Sequence, residues 1–483
     1  MAPYDSSSRS SISILASPLK LPCGVTLPNR LVKCPMQETC ATPPNFDPPL
    51  DAFRNLYDTW SSAQYGLLIT GQVQIDSRYF SIAGDVCAHK DSLSEPILSK
   101  WREWASIAQR HGTPCIVQLA HPGRMSPAGA GTRPADMPAL CPSSVPVSIG
   151  MGDGWLDKLA LEKLLGTPKA MTIEDIDEVV EMFLDGARVA KEAGFAGVQI
   201  HAAHGFLVSE FLSPHTNRRN DAYGGDPERR MTFLKRLVKE VREVMGPERC
   251  MSVKLNSGDY MADGGLTQDE ALEQVRWLVE CGMVDFVEIS GGNAEQKSSK
   301  LHNSFGNRSL EKVPKRDSTR IREAAFIDFA ERVEQMQPMI PIQLSGGFRS
   351  RNGMADAIDS GACDLIGLGR TAVLEPQLPK TMLLNPDISD DQALALPHQI
   401  RGLWFSRWIP AKVVGSGLPI QFFYWNMRRL GRGLMSDPNA SIPWVVATNT
   451  IELLQAVVSG VSGRLRGLIP SRYPWQHIEV ETG

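Results

Sequence analysis

Eight short apolar runs, each bounded by turn residues, constrain this chain more than any other feature. They are Arg30–Pro35, Leu67–Thr70, Cys115–Leu119, Gly197–Ile200, Cys250–Leu255, Val284–Ile289, Ile340–Leu344 and Asp364–Leu368. Runs of this length with little polar alternation are what strands buried on both faces require. Helical spacing fills gaps between them at Ile173–Ala193, Met231–Met245, Leu272–Cys281, Ile321–Met336 and Gly353–Ser360. Thr172 with Asp175, and Thr267 with Glu270, mark helix starts where a hydroxyl caps free amides. Eight strand–helix alternations close most economically as an α/β fold of the (β/α)8 TIM-barrel type. An open doubly wound sheet competes, but it usually carries a glycine-rich turn after its first strand. Here Met36, Gln37 and Glu38 stand in that place.

Several segments fall outside the barrel. Leu19–Leu27 alternates around a turn and predicts a hairpin capping the barrel floor. Residues 1–13 are serine-rich and lack the apolar stretch of a secretion signal, so a disordered lead-in is expected ahead of a barrel domain over 14–385. The Pro- and Gly-rich excursion 126–170 is expected to form a lid or flap over the mouth. Residues 386–483 are expected to be a mainly helical C-terminal extension. It is aromatic and basic at first (Trp404, Trp408, Phe422 to Trp425, Arg428, Arg429), then broadly one-sided through Ile451, Leu454, Val458, Val461 and Leu465. Packing against the barrel or the partner of a homo-oligomer is the expectation for it, with contact to a membrane surface as the alternative.

Composition narrows the class. A net charge of −4 and a pI near 6.2 leave no basic footprint for nucleic acid. Nine cysteines without a CxxC pair argue against a disulfide framework and against zinc. Cys34, Cys115, Cys250 and Cys363 read as small core residues of a protein in a reducing, cytoplasmic compartment. No apolar run reaches the roughly 18 residues that a membrane span needs.

The chemistry-bearing residues gather where strand-like runs end. His201 and His204 close the fourth run, and a neutral imidazole offers one donor and one acceptor. Such a pair can grip a carbonyl or phenolate oxygen from two directions; alternatively they are two satisfied histidines at a strand end. Gln118 and Lys254 are polar intruders in apolar runs. A lone buried ammonium is costly, so Lys254 is expected to face an anion near the mouth. The glycines of Ser345–Gly347 and Gly367–Arg370 follow the seventh and eighth runs, where barrels commonly hold a phosphate. Gly367–Ala372 mimics a dinucleotide fingerprint, but it follows the last strand and no acidic residue ends a later one.

The chain resembles the Old Yellow Enzyme, or NADH:flavin oxidoreductase, family. The resemblance is carried by Leu27–Lys33 with Pro35 and Met36, Gly66–Gly71, Gln118–Arg124 and Ile200–Gly205. It continues through Glu210–Pro214, Asp221–Gly225, Lys254–Ser257, Ser345–Arg349 and Gly367–Arg370. It implies a TIM barrel holding FMN non-covalently, reduced by NAD(P)H, with hydride passing from flavin N5 to the β-carbon of an α,β-unsaturated carbonyl compound. It implies a grip on the substrate oxygen by His201 and His204. Cofactor contacts are implied at Pro35, Met36, Gln37, Gln72, Gln118, Lys254, Gly346, Gly347, Gly369 and Arg370. Lys254 stands where many members have arginine.

Two departures stand out. Phe206 occupies the position where family reductases commonly carry the tyrosine that protonates the α-carbon, and Gln37 replaces the usual Thr or Cys beside the flavin carbonyl. Phe206 leaves three readings open. They are ene-reduction with another acid (Tyr79, Tyr260 or water), a redox-neutral isomerase, or an oxidative enzyme; a barrel without catalysis is the remote fourth. No metal is expected.

Overall fold

The eight apolar runs become eight parallel strands that close on themselves. In chain order they are β1 (Leu31–Lys33), β2 (Leu67–Gln74), β3 (Cys115–Ala120), β4 (Gly197–Ala202), β5 (Cys250–Asn256), β6 (Phe286–Ser290), β7 (Ile342–Ser345) and β8 (Leu365–Leu368). Each pairs with its sequence neighbour, and β8 returns to β1 through Ile366↔Leu31 and Leu368↔Lys33. Closure leaves no strand edge in the ring, as a parallel barrel requires. This is a computed structural model, and it describes residues 10–42, 46–148, 155–259, 264–290, 329–395 and 418–449.

Helices α1 (Leu50–Ser61), α2 (Ile97–Gln109), α3 (Ile173–Ala193), α4 (Thr232–Met245) and α5 (Gln268–Glu280) follow the first five strands. α6 (Arg351–Asp359) and α7 (Arg370–Leu374) follow the last two. The caps read from sequence form as expected: Thr172 accepts from the Asp175 amide and Thr267 from the Glu270 amide. α5 therefore starts at its cap rather than at Leu272. α1 and α2 were not among the expected helices. α1 carries the signal nonetheless, burying Phe53, Leu56, Tyr57 and Trp60 at one-face spacing. Of the helix expected over 321–336, residues 329–334 are helical and the earlier part lies outside the described residues.

Alternation of side chains across each strand sorts the barrel interior into layers. At the floor, Val32, Leu67, Ile69, Ile116, Cys250, Phe286 and Leu365 form one buried apolar cluster. Leu21 and Leu27 of the hairpin, whose halves Leu19–Lys20 and Thr26–Leu27 pair antiparallel, plug it from below. Two residues further along the strands the same parity brings Cys34, Gln118, Ser252, Glu288 and Gly367, with Gln199 in register between Gln118 and Ser252. Another step brings His201, Lys254 and Ser290. The interior thus turns from apolar to polar toward the strands' carboxyl ends, which sets the mouth there.

Flanking segments complete the frame. The lead-in expected over 1–13 ends sooner than that: Ser11–Leu15 is helical, capped by Ser10, and Ser11 Oγ bonds Asn352 and Asp390. Residues 1–9 lie outside the described residues. The excursion after β3 contains the helix Trp155–Leu164 and the paired strands Leu140–Cys141 and Lys169–Ala170. Arg219 Nη1 donates to the Pro142 carbonyl at 3.0 Å, tying the excursion to the loop that follows β4. In the extension, α8 (Leu418–Gly431) lies on α1, where Asn55 Nδ2 meets the Gly431 carbonyl at 2.9 Å. Phe422, Phe423, Trp425, Met427 and Leu430 join the main core cluster. The one-sided stretch Ile451 to Leu465 lies outside the described residues. Among the described residues no helix is long and apolar enough to cross a membrane.

Close strand approach makes one position intolerant of any side chain. A Cβ on Gly197 would stand 1.9 Å from the Cys250 carbonyl oxygen, which is backbone of the neighbouring strand and cannot swing away. Gly197→Ala is expected to destabilise the fold by about 1–3 kcal/mol, read as a lower midpoint in urea unfolding; an unchanged midpoint would show that the strands are not this close.

Candidate active site at the barrel mouth

The sharp exit from β4 fixes the histidine pair. His204 and Gly205 adopt left-handed φ values of 61° and 78°, which turns the chain back over the mouth and costs strain at a non-glycine residue. Two hydrogen bonds hold the strained residue. The His204 amide donates to Asn256 Oδ1 at 3.2 Å, and its Nε2 lies 2.9 Å from Ser290 Oγ. The two imidazole centroids are 5.3 Å apart, and the Phe206 ring lies 4.8 Å from that of His201. His201 is buried, and neither of its ring nitrogens has a partner among the described residues. A buried polar group left so is costly, so this side chain is ready for a ligand oxygen.

Electrostatics keep the pair uncharged. Burial, followed by His204 and Lys254, holds His201 well below the usual imidazole range. Burial and then Lys254 bring His204 down to about 3. Both are neutral at physiological pH, so each imidazole offers one donor and one acceptor. A folded pKa depressed below the ordinary value near 6.5 adds stability that is present above that value and lost as pH falls toward 3. The stability advantage of the natural protein over His204→Asn is therefore expected to shrink between pH 7 and pH 4 in urea titrations. A difference independent of pH would show that His204 titrates normally.

Beneath the histidines runs a chain of buried polar groups. Lys254 Nζ pairs with Glu288 Oε1 at 2.7 Å, and Glu288 Oε2 accepts from Gln199 Nε2 at 2.9 Å. Gln199 Oε1 in turn accepts from Gln118 Nε2 at 2.7 Å. The anion expected opposite Lys254 is thus a residue of the protein, Glu288, buried beside it in register. Removing one member of such a pair strands the other, at about 3–5 kcal/mol, whereas an apolar replacement of both costs less. Glu288→Leu should accordingly lower stability more than the double variant Lys254→Met/Glu288→Leu. The reverse order in equilibrium unfolding would contradict the pairing.

The segment after β1 is bolted down by Glu38, which sequence reasoning missed. Glu38 Oε1 accepts from Tyr57 Oη at 2.6 Å and from the Gly71 amide at 2.7 Å. Gly71 has no room for a Cβ, which would meet Glu38 Oε2 at 1.9 Å. Here β2 shifts register between Ile69 and Gln72, and the shift brings Gln72 directly opposite Gln118. Both carboxamides have a buried Oε1 without a partner among the described residues. Met36 lies against the loop after β8, its Sδ 3.6 Å from the Cβ position of Gly369. Gly346 and Gly347, after β7, take φ values of 109° and 88° that glycine alone accepts readily. Among the described residues nothing lies within 4 Å of a Cβ built on Gly346, so backbone there has room for a ligand. Burial draws the Arg370 guanidinium below its usual range. Unpartnered carboxamide oxygens at one side and bare glycine backbone with arginine at the other fit a flat heterocycle carrying a phosphate.

Other expected residues fall differently. Tyr79 packs on His121, centroids 5.1 Å apart, with the Arg133 guanidinium 4.9 Å from its ring. Tyr260 lies outside the described residues. Gln37 donates through Nε2 to Ser81 Oγ (2.7 Å) and Asp85 Oδ2 (3.0 Å), and its Oε1 accepts from Tyr424 Oη of α8 (2.5 Å). Burial pushes Asp85 up to about 7. Glu38, Gln199 and Glu288 were legible as charged or polar residues beside or within apolar runs; Tyr424 lies in the aromatic stretch expected to pack on the barrel, but nothing in the sequence pairs it with Gln37.

The profile of the NADH:flavin oxidoreductase / NADH oxidase family matches residues 15–385. The chain belongs to this family of FMN-dependent oxidoreductases that use NAD(P)H, in agreement with the resemblance read from its motifs. It is 38% identical over 393 residues to the NADH-dependent flavin oxidoreductase iliE of Hypocrea jecorina, covering 81% of this chain and 94% of that protein. To the NADH-dependent flavin oxidoreductase iccE of Talaromyces variabilis it is 39% identical over 378 residues, 78% of this chain and 87% of that one. Among solved structures, an old yellow enzyme homologue from Zymomonas mobilis matches with a TM-score of 0.60 at 23% identity, over 78% of this chain and 94% of that chain. Morphinone reductase in complex with tetrahydroNAD matches at 0.57 and 23%, over 76% and 89%. At such identity these two establish the barrel fold.

Proposed function

We propose that the protein reduces the activated double bond of an α,β-unsaturated carbonyl compound at the mouth of the barrel. Bound FMN would supply the hydride chemistry, taking hydride from NAD(P)H and giving it from N5 to the β-carbon. His201 and His204 hold the substrate oxygen as neutral donors, drawing electron density from the alkene as negative charge builds on that oxygen. Lys254, the register partner of His201, adds positive charge beneath it, shared with Glu288. Gln72 and Gln118 would take the donor edge of the flavin pyrimidine, and Gly346, Gly347, Gly369 and Arg370 the phosphate, with Pro35, Met36 and Gln37 along the side. The observation that carries the reading is the buried His201, unpartnered at both nitrogens among the described residues and beside a second neutral imidazole.

Phe206 shapes how the reaction finishes. It lies against His201 and has no proton to give, so the α-carbon must be protonated by water or another hydroxyl. Positioned proton transfer contributes about 10²–10⁴-fold, so its loss slows reduction without preventing it. The same residue favours a second reading. Without a donor at this position, hydride can return to the flavin after the double bond has moved or a stereocentre has inverted, giving an isomerase without net redox change.

The two readings separate on nucleotide consumption. Under anaerobic conditions the NADH- or NADPH-reduced protein is expected to be reoxidised by a simple enone, with one nucleotide consumed per product. Phe206→Tyr is expected to raise that rate roughly 10- to 100-fold. Failure of enones to reoxidise the reduced protein would remove the reductase reading. Conversion of substrate without steady nucleotide consumption would establish the isomerase in its place.

A further inference from the structure

The family match ends at residue 385, yet α8, at 418–431, reaches back to the mouth and touches one of the cofactor-side residues. Gln37 is gripped from both ends. Tyr424 Oη donates to its Oε1, while its Nε2 donates to Ser81 Oγ and to the Asp85 carboxylate. Asp85 Oδ2 also accepts from Gln74 Nε2 at 2.8 Å and from Ser81 Oγ at 3.2 Å. Turning the carboxamide over would place its oxygen against that carboxylate, so one orientation is selected. Both amide hydrogens are then committed to the 81–85 loop. The segment they belong to lies beside the loop after β8, through Met36 and Gly369.

We propose that Tyr424 is a positioning residue for the cofactor, supplied by the C-terminal extension and acting through Gln37. By fixing the carboxamide it keeps the two Gln37 N–H donors turned away from the flavin edge. The reduced, more negative ring is thereby denied a hydrogen bond that a free amide would give. The extension is on this account a working wall of the site. The proposal rests on the FMN-binding reading above.

Its test uses the full chain with FMN and compares Tyr424→Phe with the natural protein. Removing the hydroxyl takes away one of the three partners that hold the carboxamide, leaving only Ser81 and Asp85, so turning toward the ring becomes easier and the flavin midpoint potential is expected to move in the positive direction. FMN affinity is expected to change by about 2- to 10-fold, the effect of one neutral hydrogen bond. Ser81→Ala releases one amide hydrogen from the opposite end without touching α8, and the same direction of change is expected. In a Gln37→Leu background the effect of Tyr424→Phe should vanish.

Three results would overturn the proposal. Tyr424→Phe and Ser81→Ala could leave potential and affinity as in the natural protein, whatever happens to thermal stability; this would make Tyr424 a packing residue. The effect of Tyr424→Phe could persist undiminished without Gln37. The natural protein could fail to bind FMN, which alone among the three also removes the reading beneath it.

Discussion

The interior of the barrel can hold Lys254 only because Glu288 stands 2.7 Å from it on the next strand. That pair, extended through Gln199 to Gln118, spans four adjacent strands of the ring, β3 to β6, and satisfies polar groups that would otherwise be orphaned away from water. The layer above it inherits a fixed floor. His201 lies in register with Lys254, and Ser290, which meets His204, is two residues beyond Glu288. The positive charge of Lys254 also helps keep both imidazoles neutral. One interaction therefore supports the geometry and the protonation state of the histidine pair, and both exist only in the closed ring.

Backbone strain at the mouth falls on one of the two histidines. His204 occupies a left-handed conformation, and Asn256 and Ser290 hold it there. Across the ring the segment after β1 is held by Glu38, buried against Tyr57 and Gly71, so the Pro35–Gln37 edge has little freedom. Between these two fixed sides the unpartnered groups accumulate: the His201 nitrogens and the carboxamide oxygens of Gln72 and Gln118. Rigid walls with unsatisfied polar atoms between them are the mark of a site preorganised for a ligand.

The barrel was legible because strands buried on both faces write themselves as apolar runs, and eight of them leave few topologies. Gln118 and Lys254 stood out for the same reason, as polar residues where the pattern calls for none. Glu288 is as anomalous within Val284–Ile289, but its pairing with Lys254 depends on register between strands some thirty residues apart, which local pattern does not encode. Gln72 opposes Gln118 only because of a register shift in β2, again a property of the assembled sheet. α1 and α2 carry the same helical spacing of buried residues, through Phe53, Leu56, Tyr57 and Trp60 in one and Leu98, Trp101, Trp104 and Ala108 in the other. Tyr424 and Gln37 are 387 positions apart in sequence, so only the docking of α8 brings them together.

The account as a whole depends on a flavin occupying the carboxyl end of the ring. The most direct measurement is to purify the protein, record its visible spectrum, and identify by chromatography any cofactor released on denaturation. The account predicts a yellow protein releasing FMN at one per chain, or an apoprotein that takes up added FMN to that ratio. A colourless protein that leaves added FMN unbound would contradict it.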